Sequence, residues 1–196
     1  MKKLFLISLL VCMGILQSLA FDYTDERGVT WSCSETDYNE ETQSYTSAYI
    51  TSATGYGDEV VIPEKVYDGT KEYTVVEIRF TFKGNKTLEK VTWPSTVTEI
   101  GSSAYSGCKR LSSVTLPEGL LKIGDGAFMR TPITKLVIPS TVVEMGTWAF
   151  FCPKLTSVTL PARFNDPMVL VDIFDNSASK LFGTSQATLL QGFTFK

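Results

Sequence analysis

The chain has 196 residues, 43% of them hydrophobic and 20% charged, and its formal net charge is −3. This composition is that of one ordinary globular domain, and it lacks the strongly basic character typical of nucleic-acid-binding proteins. The chain has no histidine, so the usual general base and the commonest metal ligand are both missing. We therefore predict no catalytic residue, no metal site and no cofactor, and we expect a protein that is not an enzyme.

The first predicted element is a secretory signal peptide over residues 1–20. Two lysines precede an apolar run, Leu4–Ile15, and Ser18–Ala20 matches a small-x-small cleavage site. The run is shorter than the roughly twenty apolar residues that a membrane-spanning helix needs. We expect a mature chain that begins at Phe21, has no transmembrane segment and is secreted or held at the cell surface. The alternatives are an uncleaved membrane anchor and a lipoprotein modified at Cys12.

Residues 21–59 are predicted to form an N-terminal capping hairpin. Two strand-like runs, Val29–Ser34 and Tyr45–Thr51, flank a polar stretch from Asp37 to Gln43. A stack of repeats exposes an unpaired edge at its first unit, and a hairpin placed there covers that edge.

Residues 60–161 carry an internal repeat. The first half of each unit reads Leu-x-x-Val-x-Leu-Pro, and the second half reads Val-x-x-Ile-Gly followed by Ala-Phe. The first halves begin at Leu88, Leu111, Ile133 and Leu155, in steps of 23, 22 and 22 residues, and the second halves begin at Val97, Leu120 and Val142. A repeat of this length is typical of solenoid proteins.

The repeat pattern is degenerate at both ends. A degenerate first unit begins at Val60 and holds an insertion, Val66–Thr74, whose Asp68-Gly69 pair predicts a hairpin. Residues 162–196 are predicted to be a degenerate C-terminal coil or cap, in which Ile173-Phe174-Asp175 takes the place of the Ala-Phe pair.

Each unit is too small to bury its apolar residues alone, so the units must stack on one another. The alternation in Val91-Thr92-Trp93 predicts a short strand with its threonine outward, and the following proline ends that strand. The Ala-Phe pair predicts a short helical turn with its ring inward. Together these elements predict a right-handed solenoid of about five coils with short parallel strands and short helical turns.

This pattern resembles the BspA-type leucine-rich repeats. A cysteine three residues before the next leucine completes the motif at Cys108 and Cys152, and Asn85 and Arg130 stand at the equivalent positions. The resemblance covers residues 60–161 closely and implies a leucine-rich-repeat solenoid. It also implies a bacterial secreted or surface protein, since several members of the family look like adhesins.

The two repeat cysteines are expected to be buried thiols. Cys108 and Cys152 occupy one repeat position two coils apart, which at a strand spacing of about 4.8 Å separates them by roughly 10 Å. A disulfide needs Cα atoms within about 7 Å. We therefore predict no bridge between them.

Ligand binding is predicted on the outward side chains of the short strands, where alternate residues leave the core. These candidate residues are Lys90, Thr92, Ser113, Thr115, Lys135, Val137, Ser157 and Thr159. The competing surface is an apolar row formed by Val76, Thr98, Leu121 and Val143.

Three kinds of function remain open at this point. The favoured one is an adhesin-like binding module that recognises a host or partner-cell surface protein or glycan, but not nucleic acid. The second is a structural spacer or assembly subunit without a ligand of its own. The third, a carbohydrate-active enzyme, would need two carboxylates that face one cleft.

Overall fold

The structure is a computed structural model that describes residues 20–42, 44–174 and 192–196. The predicted signal peptide, apart from Ala20, lies outside the described residues, as do Gln43 and Asp175. No helix within these ranges has the length and apolar character needed to cross a membrane.

Three antiparallel strands open the described chain: β1 (Ala20–Thr24), β2 (Thr30–Asn39) and β3 (Ser44–Thr54). The predicted hairpin forms from β2 and β3, whose strands are longer than the sequence indicated, and β1 adds a third strand that was not predicted. The turn before β2 is held by the Asp25 carboxylate, which accepts hydrogen bonds from the Val29 amide and the Trp31 indole.

The predicted insertion is also a hairpin. Strand β4 (Glu59–Val61) leads to β5 (Lys65–Tyr67), which pairs antiparallel with β6 (Glu72–Ile78). The Asp68 carboxylate accepts hydrogen bonds from the next backbone amides in the tight turn, where Gly69 has a φ of 96°. Strand β6 pairs in parallel with β3 and so joins the N-terminal strands to the repeats.

The repeats contribute strands of two to four residues. They are β7 (Lys90–Thr92), β8 (Glu99–Ile100), β9 (Lys122–Ile123), β10 (Lys135–Val137), β11 (Glu144–Met145) and β12 (Ser157–Leu160). After them come a 3-10 helix (Ala162–Phe164), helix α1 (Pro167–Phe174) and strand β13 (Phe193–Phe195).

The Val-x-x-Ile-Gly segments form an unbroken parallel ladder. It runs β3-β6-β8-β9-β11, and each isoleucine is paired with the next, as Ile78 with Ile100 and Ile100 with Ile123. The glycines after Ile100, Ile123 and Met145 permit this close stacking. A Cβ atom on Gly124 would lie 2.5 Å from the Ser102 backbone nitrogen, closer than packed atoms come.

The predicted helical turns are wrong for the three central units. Residues 101–107 and their counterparts form consecutive turns with no assigned helix, because each contains a residue in the left-handed region, where a right-handed helix cannot continue. These residues are Ser103, Gly126 and Trp148, with φ between 56° and 59°, and Phe80 stands at the same position of the first unit with a φ of 51°. Alternate amides of each turn point along the stack instead, and the Tyr105 amide donates to the Ala127 carbonyl of the next coil.

One column of aromatic rings forms the centre of the core. Phe82, Tyr105, Phe128, Phe150 and Phe174 are each at most 1% exposed. Their ring centroids are 5.1, 5.2, 5.2 and 5.8 Å apart in order, and each successive pair is stacked. This confirms the inward position of the repeated rings and places Phe174 in the same column.

Candidate functional site

The eight predicted ligand-binding side chains all lie on one side of the repeats, which we call the strand face. Seven of them are exposed and Thr159 is half-buried. Lys135 and Val137 lie beside Ser157 and Thr159 in the paired strands β10 and β12, whereas Lys90 and Thr92 lie on β7, which pairs with β4. The eight are Lys90, Thr92, Ser113, Thr115, Lys135, Val137, Ser157 and Thr159.

The strand face is not the continuous ladder that the sequence predicted. Residues 111–117 form no strand, and within the described chain no backbone hydrogen bond joins residues 111–116 to the coil on either side. The face is therefore divided into a β4-β7 pair and a β10-β12-β13 sheet, with an unpaired segment between them. We call residues 111–116 the ladder break.

Trp93 supplies a physical reason for the ladder break. It stands at the position that Leu116, Ile138 and Leu160 fill in the other coils, where these three residues are buried. The indole is too large for that interior position and stays half-buried. Its Nε1 donates to the Tyr105 hydroxyl at 3.0 Å, so this hydroxyl of the core column has a hydrogen-bond partner next to β7.

Three shallow depressions follow the ladder break and the prolines after it. One of about 550 Å³ lies between β7 and residues 113–118, and one of about 220 Å³ lies between residues 114–118 and β10. A third, also about 220 Å³, is lined by Pro139, Pro161 and Lys196. Glu118 borders all three, so together they form one furrow across several coils.

The competing apolar row is only partly exposed. Leu121 and Val143 are 45% and 58% exposed, whereas Val76 and Thr98 are half-buried. The Val143 amide donates to the Leu121 carbonyl at 2.9 Å, so the two exposed members are neighbours in adjacent coils. This row offers two adjacent apolar side chains rather than four.

A charged row beside this apolar row was not predicted. Glu77, Glu99, Lys122 and Glu144 are successive partners along the β6-β8-β9-β11 ladder. Glu77 is buried and forms an ion pair with Arg79, whose guanidinium lies 4.0 Å from the Tyr49 ring centroid. Burial and the negative charge of Glu77 raise the pKa of the Glu99 carboxyl. Each of the four residues directly precedes the Ile or Met of its Val-x-x-Ile segment, so the repeat alignment was the sequence signal that could have revealed this row.

The repeat cysteines are buried thiols, as the sequence predicted. Cys33, Cys108 and Cys152 are free and buried, and no bridge joins Cys108 to Cys152. The Sγ atoms of Cys108 and Cys152 donate to the carbonyls of Phe82 and Phe128, one coil back.

The resemblance places Arg130 at the position equivalent to Cys108 and Cys152. In the structure Arg130 does not take that buried position. The buried residue there is Thr131, whose hydroxyl donates to the Phe128 carbonyl and lies 3.1 Å from Cys152 Sγ. Arg130 is exposed, with a φ of 59°.

Among the described residues, no group of three or more Asp, Glu, Cys or His side chains is placed to hold a metal ion. The buried acids have structural partners instead. The Tyr73 hydroxyl lies 2.6 Å from Glu35 Oε1 and 2.9 Å from Asp68 Oδ2, which ties the inserted hairpin to β2.

Comparison with known proteins identifies the repeat. The family model described as BspA type leucine rich repeat region matches residues 78–181 in six copies. A search of curated protein sequences found no match.

Solved structures show the same fold. A leucine-rich repeat protein from Bacteroides capillosus is 25% identical, with a TM-score of 0.56 over 69% of this chain and 96% of that one. The T. pallidum leucine rich repeat protein is 24% identical, with a TM-score of 0.53 over 70% and 71%. The pneumococcal vaccine antigen PcpA is 20% identical, with a TM-score of 0.54 over 85% of this chain and 40% of that one.

Proposed function

Since the chain belongs to the BspA type of leucine-rich-repeat proteins, we propose that it is an adhesin-like binding module whose ligand-contact surface is the strand face. The proposed partner is a protein or glycan on a host or partner-cell surface. The pneumococcal vaccine antigen PcpA has this fold at 20% identity, which supports the scaffold and leaves the ligand to be identified by experiment.

The observation that carries this proposal is that the strand-face side chains form few contacts that stabilise the fold. Of its eight side chains, only Lys90 forms an ion pair, with Glu59 at 3.2 Å, and both partners of that pair are exposed. Such a pair contributes at most about 1 kcal/mol. The backbone of the ladder break is also unpaired, so its polar groups are open to a partner.

We further propose that the chain is not an enzyme. The observations that support this are the absence of histidine from the sequence and the engagement of the buried acids, thiols and hydroxyls described above in contacts within the fold. The two adjacent carboxylates, Glu77 and Glu99, lie on an open sheet beside an arginine and a lysine and do not face each other across a cleft.

Export and several details of the architecture belong to the same proposal. We propose cleavage after Ala20, which would leave Phe21, paired with Cys33 in β1-β2, as the first residue. N-terminal sequencing of exported protein tests this, and a lipid-modified chain beginning at Cys12 would contradict it. We also propose a right-handed solenoid of about five coils with the β1-β3 strands as its N-terminal cap.

The binding proposal is tested on residues 21–196. The protein is probed against an array of glycans and host matrix proteins, and any ligand found is retested with Lys90, Thr92, Lys135 and Val137 all replaced by glutamate. Binding should be lost while the melting temperature stays close to that of the wild type. The matched control replaces Leu121 and Val143 with glutamate. Loss of binding in the control alone would place the ligand on the apolar row, and no ligand on the array would favour a structural spacer.

A further inference from the structure

Charge is segregated within each coil. From residue 83 to residue 160, the segment from the core ring to the proline is basic, whereas the segment from the proline to the next ring carries Glu99, Glu118, Asp125 and Glu144 against one cation, Lys122. We call the exposed cations at the start of the strand face the basic corner. They are Lys86, Lys90, Lys109, Arg110, Lys135 and Lys154. A chain with a net charge of −3 thus presents a positive strip.

Most of these cations are unpaired. Among the described residues, no carboxylate lies within ion-pair distance of Lys86, Lys109, Lys135 or Lys154. The other two form exposed pairs, Lys90 with Glu59 and Arg110 with Glu89. Exposed pairs are weak, so an anionic partner can displace those carboxylates at little cost.

The cations are spaced by the coils. Lys90 and Lys135 occupy the same repeat position two coils apart, and Arg110 and Lys154 share another position in the coil after each of them. The stacked rings fix the step between coils at 5.2 Å. Cations in one column are therefore two coils apart, and the two columns alternate along the stack.

Hydrogen-bond donors lie between the two strand-face lysines. The ladder break is flanked by Lys90 on one side and Lys135 on the other, and its backbone amides have no partner within the described chain. The exposed hydroxyls of Ser113 and Thr115 project from the same segment. Free amides and hydroxyls between two cations are a favourable environment for an oxyanion.

We propose that the basic corner and the ladder break bind a linear polysaccharide that carries one carboxylate on every second sugar ring. This rests on the proposed function, because it names the ligand class of the strand face. A polymer with alternate acidic rings matches the alternate-coil spacing of Lys90 and Lys135. The neutral rings between its acids lie over Ser113 and Thr115, whose hydroxyls and free amides bond sugar hydroxyls.

Other anionic polymers fit less well. A single-stranded nucleic acid needs aromatic side chains on which its bases stack. Among the described residues, the exposed aromatic side chains Tyr67, Phe80 and Trp148 lie outside β7, β10, β12 and the ladder break, and Trp93 is only half-buried beside Lys90.

The test uses residues 21–196 and a hyaluronate oligosaccharide long enough to cross the four coils from β7 to β12. Binding is measured by calorimetry at low and at physiological salt. We expect saturable binding that weakens as salt rises, because the contacts are exposed charges. Replacing Lys90 and Lys135 with glutamine should weaken it on the order of tenfold or more. The control Lys65→Gln/Lys122→Gln makes the same change in net charge away from the strip and should bind like the wild type.

Three results would overturn this inference: hyaluronate fails to bind, neutral dextran binds equally well, or the control pair matters as much as Lys90 and Lys135. Tighter binding of a poly-glutamate peptide than of hyaluronate would also overturn it, in favour of an acidic protein partner. These outcomes are separable from failure of the proposed function. Suppose that the protein does not bind hyaluronate but binds an array ligand, and that the strand-face glutamate substitutions abolish this binding. The polysaccharide proposal is then wrong, whereas the binding-module proposal stands.

Discussion

The central rings of the coils are among the largest fully buried side chains of this protein. Phe128 is fully buried and stacks on Tyr105 and Phe150 at 5.2 Å on both sides. Tyr105 is the one member with a polar atom among the five described rings, and its hydroxyl is satisfied by the Trp93 indole. Burial of this hydroxyl without a partner would be costly.

Replacing Phe128 with alanine should lower the free energy of unfolding by about 3–5 kcal/mol, because the change leaves a cavity in a column that cannot collapse along its axis. Chemical denaturation measures this. Phe80→Ala is the control, since Phe80 is 56% exposed and its truncation removes little buried area. Equal losses in the two variants would show that the ring column does not stabilise the fold.

The Glu99 carboxyl should make the stability of the protein depend on pH. Its pKa is raised by burial and by the charge of Glu77, so the folded state binds the proton more tightly than the unfolded state. Stability attributable to Glu99 therefore falls as pH rises from the ordinary value of about 4.3 through the raised folded value. Glu99→Gln should stabilise the protein at pH 7 and flatten its stability profile above pH 4.3. Glu118→Gln, an exposed control, should leave the profile unchanged; a profile unchanged by Glu99→Gln would contradict the assignment.

At the scale of elements, two ladders of backbone hydrogen bonds join the coils, and only one of them is continuous. The Val-x-x-Ile-Gly ladder is continuous, and its glycines let successive backbones touch. The strand face is broken at residues 111–116. The first ladder therefore sets the stack, and the second leaves polar backbone exposed.

Gly124→Ala tests the close contact between coils. The added methyl group would lie 2.5 Å from the Ser102 nitrogen and 2.8 Å from the Gly101 carbonyl carbon. Since both are backbone atoms, the coils must separate, and we expect a loss of about 1–3 kcal/mol in thermal or chemical denaturation. Gly57→Ala is the matched control, because a Cβ atom there meets nothing within 4 Å. A neutral Gly124→Ala would mean that the coils are less closely packed than described.

Hydrogen exchange should reveal the ladder break directly. Amides of residues 112–116 lack backbone acceptors, so a peptide spanning them should take up deuterium rapidly in mass spectrometry. Peptides that cover β9 and β12 should be protected, since both strands are paired. Equal protection of the three peptides would mean that the ladder is closed in solution.

For the molecule as a whole, the buried apolar residues form one cluster from Val29 to Phe174. Repeat proteins interact through nearest neighbours, and their cooperativity depends on how strongly adjacent units are coupled. Here the ring column and the continuous ladder join every described coil to the next. We therefore expect the N-terminal strands and the repeats to unfold together.

The three thiols distributed along the stack can measure this cooperativity. Burial raises the pKa of Cys33 to about 12 and those of Cys108 and Cys152 to about 11, so native thiols should react very slowly with alkylating reagents at pH 8. All three should become reactive at the same denaturant concentration, as read by mass spectrometry of each peptide. Earlier reaction of Cys33 would show that the N-terminal strands open independently of the repeats.

Much of this architecture is determined by the sequence because its apolar positions recur at a fixed step. The repeats from Leu88 to Pro161, the inserted hairpin at Asp68-Gly69 and the inward rings all depend on local patterns that one coil repeats in the next. The outward direction of the eight strand-face side chains follows from the same alternation.

The tertiary structure decided which of these predicted strands actually pair. Pairing requires two backbones at the correct distance, and residues 111–116 stay unpaired beside the half-buried Trp93 although the repeat pattern continues through them. The left-handed residues that replace the helical turns depend on hydrogen bonds to the next coil. The burial of Glu77 and its ion pair with Arg79 likewise depend on how β6 packs and not on the repeat pattern. The sequence determined the period of the coil, whereas contacts between coils determined where its surface is open and where its charges meet.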